Sequence, residues 1–340
     1  MDAGTEQLTH APALERHGSE RIVTPLAERV ADAAGVHYAV FWALLGSVVA
    51  AAHVCVTAQY EGFTLRTMWP AVLFGVFPSA TVIATIHFAK LLERFASPLC
   101  AILAWEREKT LAWYAGELRH IFSDRYMALC GGIMALVFMP IIFYGPMFPR
   151  HPLAQASFVA VMVPLNVAAG GMLYSLLSML LMLDRLGKID AVRVSVHRHS
   201  LEAARSIGAL ATRISFITLL LYSVGMSHGV LFMRDGITIV STLMFGVVIF
   251  LVFLVPQLKV RALMARMRRA RLRLVSARLE DALREVAARP SEGGDIRARE
   301  LAAIRDSLDE TGDWSLDTQM LLAILAGIAV PLSFVLAHML

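Results

Sequence analysis

The residues of this sequence with the most chemical potential are small polar side chains within long apolar stretches. Hydroxyl and amide groups in such stretches either hydrogen-bond neighbouring helices or line a water-filled path or pocket. The hydrogen-bonding role is the more common one for any single Ser or Thr, whereas Asn166, beside the helix-distorting Pro164, is the best individual candidate for a site. The pore or pocket candidates are Asn166, Tyr174, Ser175, Tyr222, Ser223, Ser227 and Gly327.

A second group of candidates is a cluster of arginines. Seven basic residues and no acidic one occur from Lys259 to Arg273. Positive charge beside an apolar stretch usually marks its cytoplasmic end, and this is the simpler explanation. The alternative is contact with anionic lipid headgroups, which contributes about 1 kcal/mol per basic residue near the surface. The headgroup candidates are Arg266, Arg268, Arg269, Arg271 and Arg273.

Four histidines also lie in or beside apolar stretches, namely His53, His87, His228 and His338. Two such side chains at one depth on different helices could ligate a b-type haem or a metal ion. No paired ligand spacing accompanies them, so single histidines bonded to a neighbour or to water are expected. We therefore predict no cofactor and no metal site.

The sequence offers no set of residues for catalysis. It contains no Walker A, dinucleotide-binding or His-Glu-x-x-His motif. Membrane acyl or phosphoryl chemistry would need His, Asp or Arg side chains converging in a cavity, and the apolar stretches contain no Asp, Glu or Arg. We therefore predict that the protein is not an enzyme.

The elements that would position the candidates are seven apolar stretches. Each is close to the ~20 residues that cross the hydrocarbon core of a bilayer, and Lys90, near the end of the second, is their single charged residue. With 57% hydrophobic residues and a mean hydropathy of +0.63, the chain is predicted to be an all-α polytopic transmembrane bundle. The stretches are Val40–Ala58, Met68–Leu91, Tyr126–Met147, Ala156–Met182, Ile214–Met233, Ile237–Pro256 and Thr318–His338.

The distribution of basic residues predicts the orientation of the bundle. Of the 31 Lys and Arg residues, all but Arg66, Arg150 and Arg234 fall in the N-terminal segment and in alternate connections. This asymmetry predicts a cytoplasmic N-terminus and an external C-terminus. The excess of Arg over Lys suggests a GC-rich bacterial genome, so we expect a multi-pass protein of a bacterial inner membrane, with the lipid bilayer and not nucleic acid as its partner.

The cytoplasmic connections are predicted to continue as helices. Apolar residues recur at helical spacing from His87 to Asp124 and from Asp184 to Arg213, with a break at Pro98. After the sixth span, an apolar stripe from Leu272 to Val286 and a second helix, Ile296–Glu310, predict a basic hairpin. The predicted parts are an N-terminal segment (1–38), a six-span domain (39–256) with helical loops at 87–125 and 184–213, the basic hairpin (257–316) and the seventh span (317–340).

Two functions fit this organisation. The first is a channel or facilitator for an ion or small solute, because the spans are dotted with polar residues and distorted by prolines. The second is a non-catalytic membrane anchor, sensor or assembly subunit, because nearly all of the mass outside the membrane is predicted to be cytoplasmic.

The predicted order of elements is similar to that of insect gustatory and odorant receptor-like channels, which also combine an internal N-terminus, cytoplasmic helical extensions and an isolated last span. The similarity is one of topology, since the Tyr and Gln-Phe positions expected in the last span of that family are absent from Leu321–Leu340. The resemblance implies that the seventh span lines the pore of a homo-oligomer.

Overall fold

The computed structural model describes residues 21–103, 105–143, 148–189, 272–288 and 292–310, and scattered positions between 210 and 270. The regular elements of these residues are helices. In chain order they are α1 (Leu26–Ala33), α2 (Tyr38–Glu61), α3 (Leu65–Glu93), α4 (Ala96–Ile102), α5 (Arg107–Ile121), α6 (Asp124–Phe143), α7 (Pro152–Lys188), α8 (described at 272–288) and α9 (Glu292–Glu310).

Four stretches among the described residues are long and apolar enough to cross a membrane. They are Tyr38–Glu61, Thr67–Cys100, Arg107–Pro140 and Pro152–Leu186. These stretches contain the first, second and fourth predicted spans and most of the third. The all-helical class is therefore confirmed for this part of the chain, and its long helices are compatible with membrane insertion. Of the other predicted spans, Ile214–Met233 is described at five positions and Ile237–Pro256 at one, and Thr318–His338 lies outside the described residues. The number of seven spans and their orientation stay predictions.

The four long helices form two antiparallel pairs, α2 with α3 and α6 with α7. Small residues let the backbones of each pair approach closely. A Cβ atom added to Gly75 in α3 would lie 2.4 Å from the Cα of Ala50 in α2, and one added to Gly131 in α6 would lie 2.5 Å from the carbonyl oxygen of Val167 in α7. Helix α7 also contacts α2 and α3, which joins the two pairs into one bundle.

One end of the bundle, which we call the hairpin end, consists of the connections at 62–64 and 148–151. Helix α2 stops at Gly62, whose φ of 86° is readily adopted only by glycine. Helix α3 starts with a capping box in which Thr64 and Thr67 bond each other's backbone N–H groups. Helix α7 starts at Pro152, which suits a first helical position because it has no N–H group to leave unsatisfied.

The opposite end, which we call the charged end, is where Lys90, Glu93, Asp124 and Arg185 lie. Helix α3 ends at Glu93 and α4 begins at Ala96, so the chain breaks about one turn before Pro98. In a continuous helix, the ring of Pro98 would clash with the carbonyl of Arg94. A continuous hydrophobic core then joins the last turns of α3 to α4, α5 and α7. The helically spaced residues of the sequence supply much of it, including Leu91, Leu92, Phe95, Leu99, Leu103, Tyr114, Leu118 and Ile121.

The basic segment folds as two helices in its described part. Leu279 and Ala282 of α8 pack against Ala298 of α9. The predicted start of the second helix at Ile296 is wrong, because α9 begins at Glu292. The two glycines that suggested a longer break lie in its first turn, where backbone N–H groups have no helical partner in any case.

Candidate functional site

The best single pore candidate, Asn166, is buried within α7. Its side-chain amide donates to the carbonyl oxygen of Met162, one turn earlier in the same helix, at 2.8 Å. Because Pro164 lies between the two residues and removes a backbone donor, the amide supplements the hydrogen bonding of a weakened turn. Asn166 therefore bonds its own helix, and not the neighbouring helix that polar groups in apolar stretches usually bond.

Tyr174 and Ser175 join α7 to the end of α5. The Tyr174 hydroxyl donates to the carbonyl oxygen of His120 at 3.0 Å, and the buried Ser175 hydroxyl lies 3.1 Å from that of Ile121 and 3.2 Å from that of Gly171. Both acceptors on α5 are terminal carbonyls, which have no partner within their own helix. The two side chains therefore satisfy the end of α5 near the charged end of the bundle.

The other candidates are less well described. Tyr222, Ser223, Ser227, Gly327 and Arg271 lie outside the described residues. Arg266 and Arg269 direct their Nε atoms to carbonyls one turn back in their own helix, Ala262 and Ala265, at 3.4 and 3.3 Å. Arg269 and Arg273 are exposed, and Arg268 is half-buried.

A polar group forms where α2 meets α7 near the hairpin end. The ring of the buried His53 bonds the Ser157 hydroxyl through Nδ1 at 2.8 Å. One turn along α2, the Thr57 hydroxyl is buried and has no hydrogen-bond partner among the described residues. One turn further, a Glu61 carboxylate oxygen accepts from the backbone N–H groups of Arg150 and His151, at 2.8 and 3.2 Å, and so joins the end of α2 to the connection before α7.

The histidines do not converge in the part of the chain that is described. His53 is bonded to a neighbouring hydroxyl, and His87 is exposed near the far end of α3. Within the described residues no group of three or more His, Cys, Asp or Glu side chains is arranged to hold a metal ion. His228 and His338 lie outside them.

The most elaborate polar arrangement is an ion network at the charged end, which joins α1 to α3. Glu28 pairs with Arg21 and with the Lys90 ammonium, the latter at 2.9 Å. Glu93 pairs with Arg21 at 3.1 Å and accepts from the backbone N–H of Val23 at 3.0 Å. Burial by itself would raise the pKa of the Glu28 carboxyl, but the two cations outweigh it and hold that pKa below its usual value.

Helix α1 is also bonded to α2 and α6. The Trp42 indole N–H donates to the carbonyl oxygen of Ala27 at 2.9 Å. Asp124, at the start of α6, pairs with Arg29 and accepts from the backbone N–H of Leu26 at 3.0 Å. Helix α1 is thus fixed where the ends of three long helices meet.

A second buried contact joins α5 to α7. Glu117, which is almost wholly buried, pairs with Arg185 at 2.9 Å. The fully buried Tyr114, one turn earlier on α5, donates its hydroxyl to the carbonyl oxygen of Leu92 in α3 at 2.6 Å. These contacts and the hydrophobic core hold α5 in one orientation, with Glu108, Lys109 and Arg119 on its exposed face.

Sequence reasoning missed the residues of this charged end, although two signals point to them. Lys90 is the one charge within an otherwise uncharged apolar stretch, and such residues usually have a specific partner. Glu117 interrupts the apolar stripe of α5, which predicts a paired carboxylate because an unpaired buried charge is costly. The partners Glu28 and Arg185 come from distant parts of the sequence, and local spacing contains no information on that pairing.

Comparisons with protein-family models, with curated proteins and with solved structures give no match. The chemistry of the described residues is therefore the basis for the function. The charged end offers paired carboxylates and cations that fix helices in place, and an exposed charged helix face. The hairpin end offers a hydrogen-bonded imidazole and the Thr57 hydroxyl, for which the described residues provide no partner.

Proposed function

We propose that this is a non-catalytic integral membrane protein that acts through the helical assembly at its charged end, as an anchor, sensor or assembly subunit. The observation that carries the proposal is the continuous core that joins α3, α4, α5 and the last turns of α7. A core of this kind fixes the positions of α4 and α5, which lie outside the predicted spans Met68–Leu91 and Tyr126–Met147. It also gives the exposed face of α5 a constant shape, as a partner-binding surface requires.

The fate of the polar side chains supports the same function. Asn166, Tyr174 and Ser175 each donate to a carbonyl oxygen of the protein. A hydroxyl or amide that lines a water-filled path would have to turn towards that path. Tyr174 and Ser175 join α7 to α5, and Asn166 bonds within α7, which suits a rigid anchor.

The proposed orientation puts the charged end in the cytoplasm. It rests on the concentration of Lys and Arg in the N-terminal segment and in alternate connections. The bacterial inner membrane is proposed on the Arg-rich, Lys-poor composition alone. Under this orientation, the exposed charged residues of α5 face cytoplasmic partners.

The test compares charge reversals at the two ends of the molecule. Arg119→Glu changes the exposed face of α5, and Arg150→Glu is the matched control at the hairpin end. Each full-length variant is expressed in its native host, crosslinked in intact membranes and purified in detergent. The proposal expects a specific crosslinked partner that is lost with Arg119→Glu and retained with Arg150→Glu. Equal retention or equal loss of every crosslinked species in the two variants would contradict it.

The second candidate function is a channel or facilitator for an ion or small solute. One observation favours it: Thr57 lies between His53 and Glu61 on one face of α2, each one turn apart, and its buried hydroxyl has no hydrogen-bond partner in the described part of the chain. Such a line of polar groups could lead inward from the hairpin end. The candidates Tyr222, Ser223, Ser227 and Gly327 belong to this function as well.

Flux measurements separate the two functions. Purified protein in liposomes is assayed for ion flux with enclosed dyes and for solute flux by osmotic swelling. The anchor function expects rates equal to those of protein-free liposomes. Flux that falls when Thr57 is changed to Val, while Thr57→Ser retains it, would establish the conduit in its place.

A further inference from the structure

Helix α1 buries a charged residue and exposes its larger apolar residues, which is the reverse of a helix at a protein–water surface. Its glutamate faces the protein, since Glu28 is 3% exposed, and Ala31 is fully buried beside it. Its larger apolar residues face outward, with Leu26 55% and Val30 42% exposed. At 3.6 residues per turn, Leu26 and Val30 share one stripe, and Glu28 lies on the opposite side. A surface helix in water normally buries its apolar stripe.

The position of α1 explains this inversion. Residues 34–37 alone separate it from α2, which is long and apolar enough to cross a membrane. The Trp42 indole in the second turn of α2 bonds the carbonyl of Ala27, so α1 lies beside the first turns of α2. Tyr38, in the first turn of α2, has the Lys90 ammonium 3.9 Å above its ring. Trp, Tyr and Lys at the end of a membrane helix are typical of the headgroup region.

We propose that α1 lies in the headgroup region of the bilayer at the charged end, with Leu26 and Val30 in contact with lipid acyl chains. Interfacial helices insert an apolar stripe into the boundary between headgroups and chains in this way. Val36, in the connection to α2, and Val40, in the first turn of α2, are also exposed apolar residues. The partner is thus lipid, whichever side of the membrane the charged end occupies and whichever function the protein has.

The ion network stabilises and orients α1, which is too short to be stable by itself. Eight residues are too few for a helix to be stable or oriented by itself. Glu28 bonded to Arg21 and Lys90 fixes the inward face, and Asp124 bonded to Arg29 and to the backbone of Leu26 fixes the start of the helix. These ion pairs therefore set the rotation that turns Leu26 and Val30 towards lipid.

The test measures depth at single positions of the full-length protein. Cys55, Cys100 and Cys130 are replaced by Ala, a nitroxide label is attached at 26, 30 or 32, and each protein is reconstituted in phosphatidylcholine and phosphatidylglycerol vesicles. Asp32 is the matched control because it is exposed on α1 but lies on a different face. Labels at 26 and 30 are expected to collide more with oxygen than with a water-soluble nickel complex, and the label at 32 to show the reverse.

Two results would overturn the proposal. Labels at 26 and 30 as accessible to nickel as the label at 32 would show that the stripe faces water. Labels there that are protected from both reagents would show that protein covers it. The role of the network is tested by adding Glu28→Gln, with Asp32→Asn as its control in the protein labelled at 26. Glu28→Gln alone is expected to sharpen the spectrum of the label at 26, and an unchanged spectrum would remove the network from the proposal.

Discussion

The membrane-crossing parts of the helices and the charged end are held together by different means. In the crossing parts, the backbones of α2 and α3 approach at Gly75 and those of α6 and α7 at Gly131, beside a small core that includes Phe74 and Phe158. At the charged end, large side chains form a hydrophobic core and buried ions join elements that are distant in sequence. Lipid chains are as apolar as the side chains they would replace, so burial of apolar surface does not drive helices together there and close backbone contact must.

This difference shows which substitutions each region tolerates. Where two helix backbones are in contact, a glycine at the contact has no room for an added carbon atom. A core of side chains loses most stability when one of its contacting side chains is removed. The substitutions below test that contrast, in order of decreasing expected effect on the free energy of unfolding.

The largest effect is expected for Glu28→Ala at the charged end. Removing the carboxylate leaves Lys90 and Arg21 partly buried with fewer counter-charges, and breaking a buried pair costs about 3 kcal/mol. Asp32→Ala, at an exposed position on the same helix, is the control and should change stability little. Both are measured by denaturant unfolding in detergent micelles. Equal losses for the two variants would mean that the network contributes nothing beyond the helix itself.

A loss of about 2 kcal/mol is expected for Gly131→Ala in the crossing region. The added Cβ would lie 2.5 Å from the Val167 carbonyl oxygen, and a helix backbone cannot yield as a side chain can. Gly132→Ala is the matched control on the next residue, where a Cβ meets nothing within 4 Å. Because Ala also favours the helix, this control should be neutral or slightly stabilising. If both glycines tolerate Ala equally, the helices do not approach as closely as described.

A smaller loss, about 1 kcal/mol, is expected for Tyr114→Phe. The change removes the hydrogen bond to the Leu92 carbonyl and keeps the buried ring, so packing is preserved. The Leu92 carbonyl still accepts the Phe95 backbone N–H, which limits the penalty. Tyr126→Phe, at a half-exposed ring, is the control. A loss of the same size in the control would show that the buried Tyr114 hydroxyl contributes no more to stability than an exposed one.

The smallest effect concerns acid. Because the pKa of Glu28 is lowered in the folded protein, its ion pairs stabilise the fold above the ordinary value of 4.5 and lose this contribution as pH falls through the lowered value. The stability difference between the wild type and Glu28→Gln is therefore expected to be greatest near neutrality and to shrink below pH 4.5. Unfolding curves of both proteins across that range provide the measurement. A difference that does not change with pH would show that Glu28 acts by packing and not by charge.

Parts of this architecture were accessible from local sequence alone. Uninterrupted apolar stretches predicted the helices that contain Val40–Ala58 and Ala156–Met182, because a helix in lipid must be apolar over its whole crossing length. Helical spacing of residues such as Leu99 and Leu118 predicted the buried faces of α4 and α5. The expectation that small polar groups such as Ser175 bond neighbouring helices followed from the cost of an unsatisfied hydroxyl in an apolar medium.

The candidate site depended on contacts that no spacing encodes. Glu28 and Lys90 are far apart in the chain, and their pairing exists only because α1 folds back onto the end of α3. The lipid-facing stripe of α1 follows from the same fold, since Leu26 and Val30 would be read as a buried face by their spacing alone. The length and periodicity of apolar segments are properties of neighbouring residues, so they can be predicted from the sequence alone. Which charge meets which, and which face of a helix meets lipid, depends on the path of the whole chain in space.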